Sequence, residues 1–298
     1  MEKEKIVTPG ATVAILRRYG LHPRKTFGQN FLTDENILNK IVAAVGLTRD
    51  DLVLEVGPGI GTVTQALAGQ AGLVVAVEID RNMIAVLRDT LSGYDNVTVV
   101  EGDILAVDLP GLLAEADSEG KYRRKLVGNL PYYITTPILF RVLEDNCGFK
   151  TLVVMVQKEV AERIVARPGG KIYGALSIAV QYRTEAEIIA EIPRTVFHPP
   201  PQVSSAVLRL TRREEPPVSV TDEKLFFSVV KAAFQHRRKT MLNALSHSPA
   251  TVSDKAALQR LLEQAGIDPL QRGENLDMAD FAVLSNLLAA ETDRRDVR

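Results

Sequence analysis

The run Leu52-Val53-Leu54-Glu55-Val56-Gly57-Pro58-Gly59-Ile60-Gly61 sets an apolar segment of strand length against three alternating glycines, and helical spacing follows from Thr62 to Ala68. Strand, tight turn and helix in that order open a βαβ unit. Glycines are needed where the chain reverses at the carboxyl end of a strand and backbone must lie against a ligand that a Cβ would displace. The turn is therefore a candidate ligand seat. A second apolar strand, Leu73 to Val77, runs into Glu78-Ile79-Asp80 and so sets a carboxylate about 20 residues beyond Gly57, where an acid can grip two ribose hydroxyls. The spacing is GxGxG, not GxGxxG, and no third, helix-packing glycine follows beside which a pyrophosphate would sit. A nucleoside without phosphates fits this turn better than NAD.

Strands and helices alternate from Leu52 onward: strands at 52–56, 73–78, 97–101, 126–128, 151–156 and 186–192, helices at 61–69, 81–92, 136–145, 158–166 and 174–182. This is the rhythm of an α/β fold with a mostly parallel sheet. The third strand ends in Glu101-Gly102-Asp103-Ile104, and Asp103 either caps its own turn or meets the ligand; the strand's carboxyl edge favours the ligand. Residues 106–122 read as a loop. Prolines 199, 200 and 201 force an extended segment, which feeds a last strand from Val203 to Leu210. The break Arg212-Arg213-Glu214-Glu215-Pro216-Pro217 divides the chain into residues 1–213 and 214–298, the second part all-helical at 222–234, 239–245, 254–265 and 278–290. Before the sheet, residues 1–9 read as disordered and 11–19 as a helix. Lys25 to Leu32 form a loop, and Asp34 caps a helix over 35–45.

With 298 residues, 46% of them hydrophobic, the chain suffices for two domains. No apolar run approaches 18 residues and the amino terminus lacks a secretory signal, so a cytoplasmic protein without a membrane span is expected. One cysteine, Cys147, and four scattered histidines offer neither an internal disulfide nor metal-ligand spacing, so no metal is expected. A net charge of −1 means that any nucleic-acid contact comes from a local patch. Two stretches qualify: Lys121-Tyr122-Arg123-Arg124-Lys125, and the window Lys224 to Ser253, which holds five basic residues and no acid. Each is either a solvated face or a phosphate grip. The candidate contacts are Arg123, Arg124, Lys231, Arg237, Arg238 and Lys239.

Asn129-Leu130-Pro131-Tyr132, after the fourth strand, has a chemistry of its own. An adenine amine is a poor nucleophile because its lone pair is delocalised into the ring, so a catalyst must hold the two amine hydrogens in a geometry that frees that pair. The Asn129 side-chain oxygen and the Leu130 carbonyl can take those hydrogens, with Pro131 fixing the turn. Tyr132 can stack on the base. The bland alternative is a strand-ending turn in which Asn caps and Tyr packs.

These motifs, with GQNFL at 28–32, EVGPGIG at 55–61, VEID at 77–80, EGDIL at 101–105, QKEV at 157–160, FHPPPQVSSAVLRL at 197–210 and AAFQHRRKTMLNAL at 232–245, resemble the ribosomal RNA adenine dimethyltransferases. The likeness runs from Lys25 to about Leu288. It implies a class I S-adenosylmethionine-dependent methyltransferase fold: a Rossmann-like sheet of seven strands, the last antiparallel, with a small helical domain. It further implies that Gly57, Gly59 and Gly61 hold the methionyl part of S-adenosylmethionine, with Asn30 and Leu32 above. Glu78 would bind the ribose and Asp103 the cofactor's adenine, beside Ile79 and Ile104, while Asn129 would touch cofactor and target. Phe197 would sandwich the flipped base against Tyr132. The implied partner is small-subunit rRNA in a pre-30S particle, and the protein is expected to be monomeric. Gln235-His236-Arg237-Arg238 departs from the family pattern, in which the glutamine more often directly precedes the arginines.

Three rivals stand beside this reading: the same chemistry on large-subunit rRNA, a non-catalytic RNA-binding factor on the same fold, and an NAD dehydrogenase. The QHRRKTMLNAL helix argues against the first and the intact motifs against the second. The dehydrogenase would need phosphate contacts that a GxGxG turn does not offer.

Overall fold

The computed structural model describes residues 6–145, 147–246, 248 and 254–296, without the side chains of Lys25 and 292–296. Two compact units emerge, the first containing residues up to Ala161 with Glu185–Arg212, the second Glu162–Thr184 with residues from Arg213 onward.

The first unit begins with helix α1 (Pro9–Arg18), the two-residue strand β1 (Phe31–Leu32) and α2 (Glu35–Val45). Then β2 (Asp51–Val56), α3 (Thr62–Ala68), β3 (Leu73–Glu78), α4 (Arg81–Thr90), β4 (Val97–Glu101), α5 (Leu109–Ala116), β5 (Arg123–Asn129), α6 (Thr135–Glu144) and β6 (Thr151–Gln157) alternate. After α7 (Lys158–Ile164) and α8 (Ala175–Arg183) come β7 (Thr184–Ile192), β8 (Phe197–His198) and β9 (Ser205–Arg212). The seven-stranded sheet has the order β4-β3-β2-β5-β6-β9-β7, parallel from β4 through β6, and β9 runs antiparallel to β6. Every residue of β2 is buried, as a parallel strand covered on both faces requires. The chain leaves β2 toward β3 on one side and comes back to β5 on the other. That reversal opens a crevice at the carboxyl ends of β2 and β5, where open α/β sheets bind ligands.

Several expectations change. Of residues 1–9, the first five lie outside the described residues, but Ile6 and Val7 are buried and the Thr8 hydroxyl caps α1. The stretch 106–122 contains α5, capped by Asp108 with Pro110 in its first turn, a start signal that the short helix half hides. β5 begins three residues before the apolar run suggests, because its first three positions are basic.

The second unit adds α9 (Glu223–Gln235), α10 (Met241–Leu245), α11 (Lys255–Gln264) and α12 (Met278–Asp296). A single boundary at 213/214 does not hold, since residues 162–184 belong to the helical unit. The reason is aromatic packing: Tyr173, Ile178 and Tyr182 share a core with Phe226, Val230 and Phe281, and the Tyr182 and Phe226 rings lie 5.3 Å apart. By spacing alone α8 reads as one more crossover helix of the sheet. No described helix is long and apolar enough to cross a membrane.

Candidate active site

The crevice is lined from below by Glu55, Gly57, Pro58 and Gly59, from the side by Glu78, Ile79, Asn129 and Met155, and from above by Phe27 to Leu32. At the floor the backbone turns left-handed at Gly57 (φ 69°) and Gly59 (φ 59°). A Cβ on Gly57 would meet nothing within 4 Å and project into open space, whereas one on Gly59 would lie 2.9 Å from the Phe31 ring. Both positions favour glycine through their left-handed backbone, and the second also lets the roof close over it. Gly61 (φ 90°) is different: its missing Cβ would press on Thr90 Oγ1 at 3.1 Å and on Leu87 and Leu91, so it packs α3 against α4 instead of lining the crevice. Contrary to the expectation from spacing, the turn does contain a helix-packing glycine, and it is Gly61.

Glu78 is buried, and its carboxylate is braced by the Gly59 N–H on Oε2 (3.1 Å) and the Asp80 N–H on Oε1 (2.9 Å). Burial raises its pKa, against the lowering effect of these N–H donors. Each oxygen keeps a lone pair for a ribose hydroxyl. Asp80 in turn accepts from Gln29 Nε2 (2.8 Å), and Gln29 Oε1 accepts from the Arg24 N–H (2.8 Å). The roof loop is thus latched beside Glu78. GQNFL carried this signal in its glutamine, which the sequence reading left without a role.

The other latch is Asn129. Its Nδ2 donates to the Asn30 carbonyl at 2.8 Å, and because only the NH₂ end of an amide can face a carbonyl, this bond decides the orientation of the side chain. Oδ1 is left as the free acceptor. The Leu130 N–H donates to the Met155 carbonyl (3.0 Å), and the Pro131 carbonyl accepts from the Ile134 N–H (3.1 Å) and the Thr135 hydroxyl (3.0 Å). Among the described residues no hydrogen bond reaches the Leu130 carbonyl. Two acceptors in adjacent residues of one pinned turn are thus without a donor, although of this turn only Asn129 and Pro131 line the crevice, and Leu130 and Tyr132 stand behind them. Tyr132 is half-buried, with its hydroxyl 2.6 Å from Ser205 Oγ, and burial raises its pKa against the lowering effect of that bond.

Other candidates are not brought to the crevice. Phe197 sits on β8, paired with Leu32, and is 3% exposed in the apolar core with Ile37, Ile41 and Val207. A ring with no polar group gains by that burial, and a base sandwich would need it turned out of the core. Asp103 stands past β4 at the same sheet edge, but its Oδ1 accepts from the Leu105 N–H (2.9 Å), and neither it nor the buried Ile104 lines the crevice. Arg123 and Arg124 lie at the amino end of β5, six and five residues of strand from Asn129 and on the opposite edge. Arg123 pairs with Asp51 (3.2 Å) and Arg124 donates to the Cys147 carbonyl (3.0 Å), so the cluster is a structural brace. Lys125 completes it, 3.1 Å from Asp51, whose carboxyl, although pushed up by burial, is held below its usual value by the Thr48 N–H and Lys125. Lys231, Arg237, Arg238 and Lys239 are exposed on the helical unit, Arg237 donating to the Lys171 carbonyl (2.7 Å).

Glu55 was not singled out from sequence, although an acid inside a buried apolar strand is a signal in itself. It is 2% exposed, lines the crevice, and its Oε2 has no hydrogen-bond partner among the described residues. Burial pushes its carboxyl up to about 8, and the Glu78 carboxylate adds to the rise. An acid neutral in the fold but ionised when unfolded stabilises fully below its unfolded pKa of about 4.3 and loses that contribution as pH climbs through 8. Denaturant midpoints should therefore fall for the wild type between pH 5 and pH 8.5 relative to Glu55→Gln. Parallel pH profiles for the two proteins would mean that Glu55 is already ionised.

The buried acids Glu55 and Glu78 line the crevice and no basic side chain does among the described residues, so the lining offers a phosphate no cation to pair with, while Glu78 has acceptors for hydroxyl groups. With the seven-stranded sheet and its antiparallel β9, this defines a class I S-adenosylmethionine-dependent methyltransferase. The sequence pattern of the family Ribosomal RNA adenine dimethylase matches residues 20–289, and the chain belongs to that family. It is 53% identical over 284 residues to the ribosomal RNA small subunit methyltransferase A of Geobacillus thermodenitrificans, covering 95% of this chain and 97% of that one. Its fold is similar to the crystal structure of a dimethyladenosine transferase from Plasmodium falciparum (TM-score 0.73, 28% identity, 89% of this chain and 98% of that one). It is also similar to that of the 23S rRNA methyltransferase ErmE (TM-score 0.65, 29% identity, 87% and 100%). Among the described residues no group of His, Cys, Asp and Glu could hold a metal ion.

Proposed function

We propose that this chain methylates the exocyclic amines of two adjacent adenosines near the 3′ end of small-subunit (16S) rRNA, acting as a cytoplasmic monomer on a pre-30S particle. The observation that carries the reading is a crevice with the buried acid Glu78 and no basic side chain in its lining, edged by Asn129, whose Oδ1 is a free acceptor one residue before the unbonded Leu130 carbonyl. S-adenosylmethionine supplies a methyl carbon activated by a sulfonium. Glu78 holds the ribose, Gly57 leaves room for the methionyl part, and Asn30 and Leu32 cover it. Asp103, through the carboxylate oxygen that does not cap its turn, remains the candidate for the cofactor's adenine, with Ile79 and Ile104 as its apolar neighbours.

Asn129 Oδ1 and the Leu130 carbonyl accept the two amine hydrogens, so the nitrogen lone pair leaves conjugation and points into the crevice. As the nitrogen takes the methyl group, the carbon–sulfur bond breaks and its electron pair stays on sulfur as a neutral thioether. The same acceptors stabilise the positive charge on nitrogen, which then gives one proton to water, so no strong base is required. Tyr132 offers its face to the flipped base, and stacking of this kind contributes about 1–3 kcal/mol. Support for the small subunit over the large comes from the 53% identity to a small-subunit enzyme against 29% to ErmE. The test is primer extension across the 3′ end of small-subunit rRNA from a strain lacking the protein, with and without its restoration. A stop at two adjacent adenosines that returns only with the protein is expected, and no difference between the strains would remove the reading.

The helical unit's Lys231, Arg237, Arg238 and Lys239 supply phosphate contacts, which predicts that rRNA affinity falls steeply with salt. Charge-removing substitutions at these four positions should weaken binding and flatten the salt slope, measured by filter binding at several ionic strengths. An unchanged slope would make the patch a solvated surface.

A further inference from the structure

Strand β9 opens Ser205-Ala206-Val207-Leu208, and all four residues are 0% exposed. A hydroxyl sealed from water is costly unless it is hydrogen-bonded, and an alanine would occupy this strand end without that cost. The partner of the serine is the Tyr132 hydroxyl, 2.6 Å away, at the short end of the range for hydroxyl pairs. We propose that Ser205 is a positioning residue for methyl transfer, fixing the far end of the Tyr132 ring in the plane on which the target adenine stacks. This rests on the reading of Tyr132 as the base platform.

A tyrosine ring turns about two side-chain torsions, so a pinned backbone alone leaves its plane free. Here the near end is held by the Leu130 to Met155 bond of the turn, and the far end by Ser205. Both anchors belong to one frame: Ser205 pairs with Gln157 on β6, and Met155 of the same strand pairs with Asn129. The face that receives the base and the oxygen that receives its amine hydrogen are thereby kept in register across three neighbouring strands. Misplacement of a reacting group by about 1 Å can cost on the order of a hundredfold in rate, so loss of one anchor should be felt in the chemical step. A bond that merely satisfied two buried hydroxyls would leave that step alone.

The experiment is a double-mutant cycle, Ser205→Ala, Tyr132→Phe and the pair, in single-turnover methylation of small subunits lacking the modification, with cofactor affinity measured by calorimetry on each protein. Each single variant should slow the step on the order of tenfold or more at saturating substrate, with the cofactor Kd within about twofold of wild type. The double variant should be no slower than either single, since one bond can be lost only once. Wild-type rates in both singles, or effects that multiply in the pair, would overturn the positioning role. Tyr132→Ala separates this from the platform reading: a wild-type rate there removes the platform itself, whereas a slow Tyr132→Ala with fast Ser205→Ala and Tyr132→Phe removes only the part played by Ser205.

Discussion

Asn129→Ala slows methyl transfer by about a hundredfold or more and leaves the fold intact. The substitution removes Oδ1, one of the two acceptors that draw the amine out of conjugation, and a well-placed electrostatic partner of this kind typically contributes about 2.7–4 kcal/mol in the transition state. Folding survives because the residue ends β5 at the crevice edge, half-buried, and its backbone pairing with Met155 does not involve the side chain. The lost bond to the Asn30 carbonyl loosens the roof, so cofactor affinity drops, but by less than the rate. A monomethylated amine has one hydrogen left and uses one acceptor, so the second transfer responds less than the first. Single-turnover methylation that scores mono- and dimethyl products separately checks this. Near-normal rates for both products would reduce Asn129 to a turn cap.

Glu78→Ala lowers cofactor affinity at least tenfold. Two charge-assisted hydrogen bonds to the ribose hydroxyls are lost, each worth about 1.5–3 kcal/mol, and tenfold in Kd requires only about 1.4. The structure adds a second cause: the same carboxylate receives the Gly59 N–H at 3.1 Å and the Asp80 N–H at 2.9 Å, so its removal unfastens the glycine turn and the site where Gln29 latches the roof. Gln29→Ala should then reproduce a smaller share of the loss without touching the ribose. Calorimetry with S-adenosylmethionine measures both, and an unchanged Kd for Glu78→Ala contradicts the ribose assignment.

What was legible in the sequence followed from periodicity and from residues with few alternatives. The β2 turn, Glu78 and the Asn129 to Tyr132 turn announce themselves because glycines at positive φ, an acid at a strand end and a proline-fixed turn each have a narrow set of uses. Glu55 is legible as an acid inside an apolar strand, but its role, like that of Ser205, shows only when burial reveals that the polar group has no water to turn to. Gly61 was assigned to the ligand because spacing does not reveal which neighbour a missing Cβ makes room for; Thr90 and Leu87 come from α4, remote in sequence. Arg123 and Arg124 look like a phosphate grip in one dimension, and only the strand direction sends them to the edge opposite Asn129. Phe197 could be named only through resemblance, and its packing with Ile37 and Val207 depends on the β1 to β8 pairing, which joins segments far apart in the chain. Residues 162–184 were given to the sheet domain for a like reason, since the aromatic contacts that claim them reach across to α9.

The most direct test of the account is to incubate the purified protein with S-adenosylmethionine and separated ribosomal subunits that lack the modification, and to map methylated nucleosides in both rRNAs by mass spectrometry. Dimethyladenosine at two adjacent positions near the 3′ end of the small-subunit rRNA, with none in the large-subunit rRNA, is the predicted result. Methylation confined to the large-subunit rRNA, or no methylation by a protein that binds the cofactor, would contradict it.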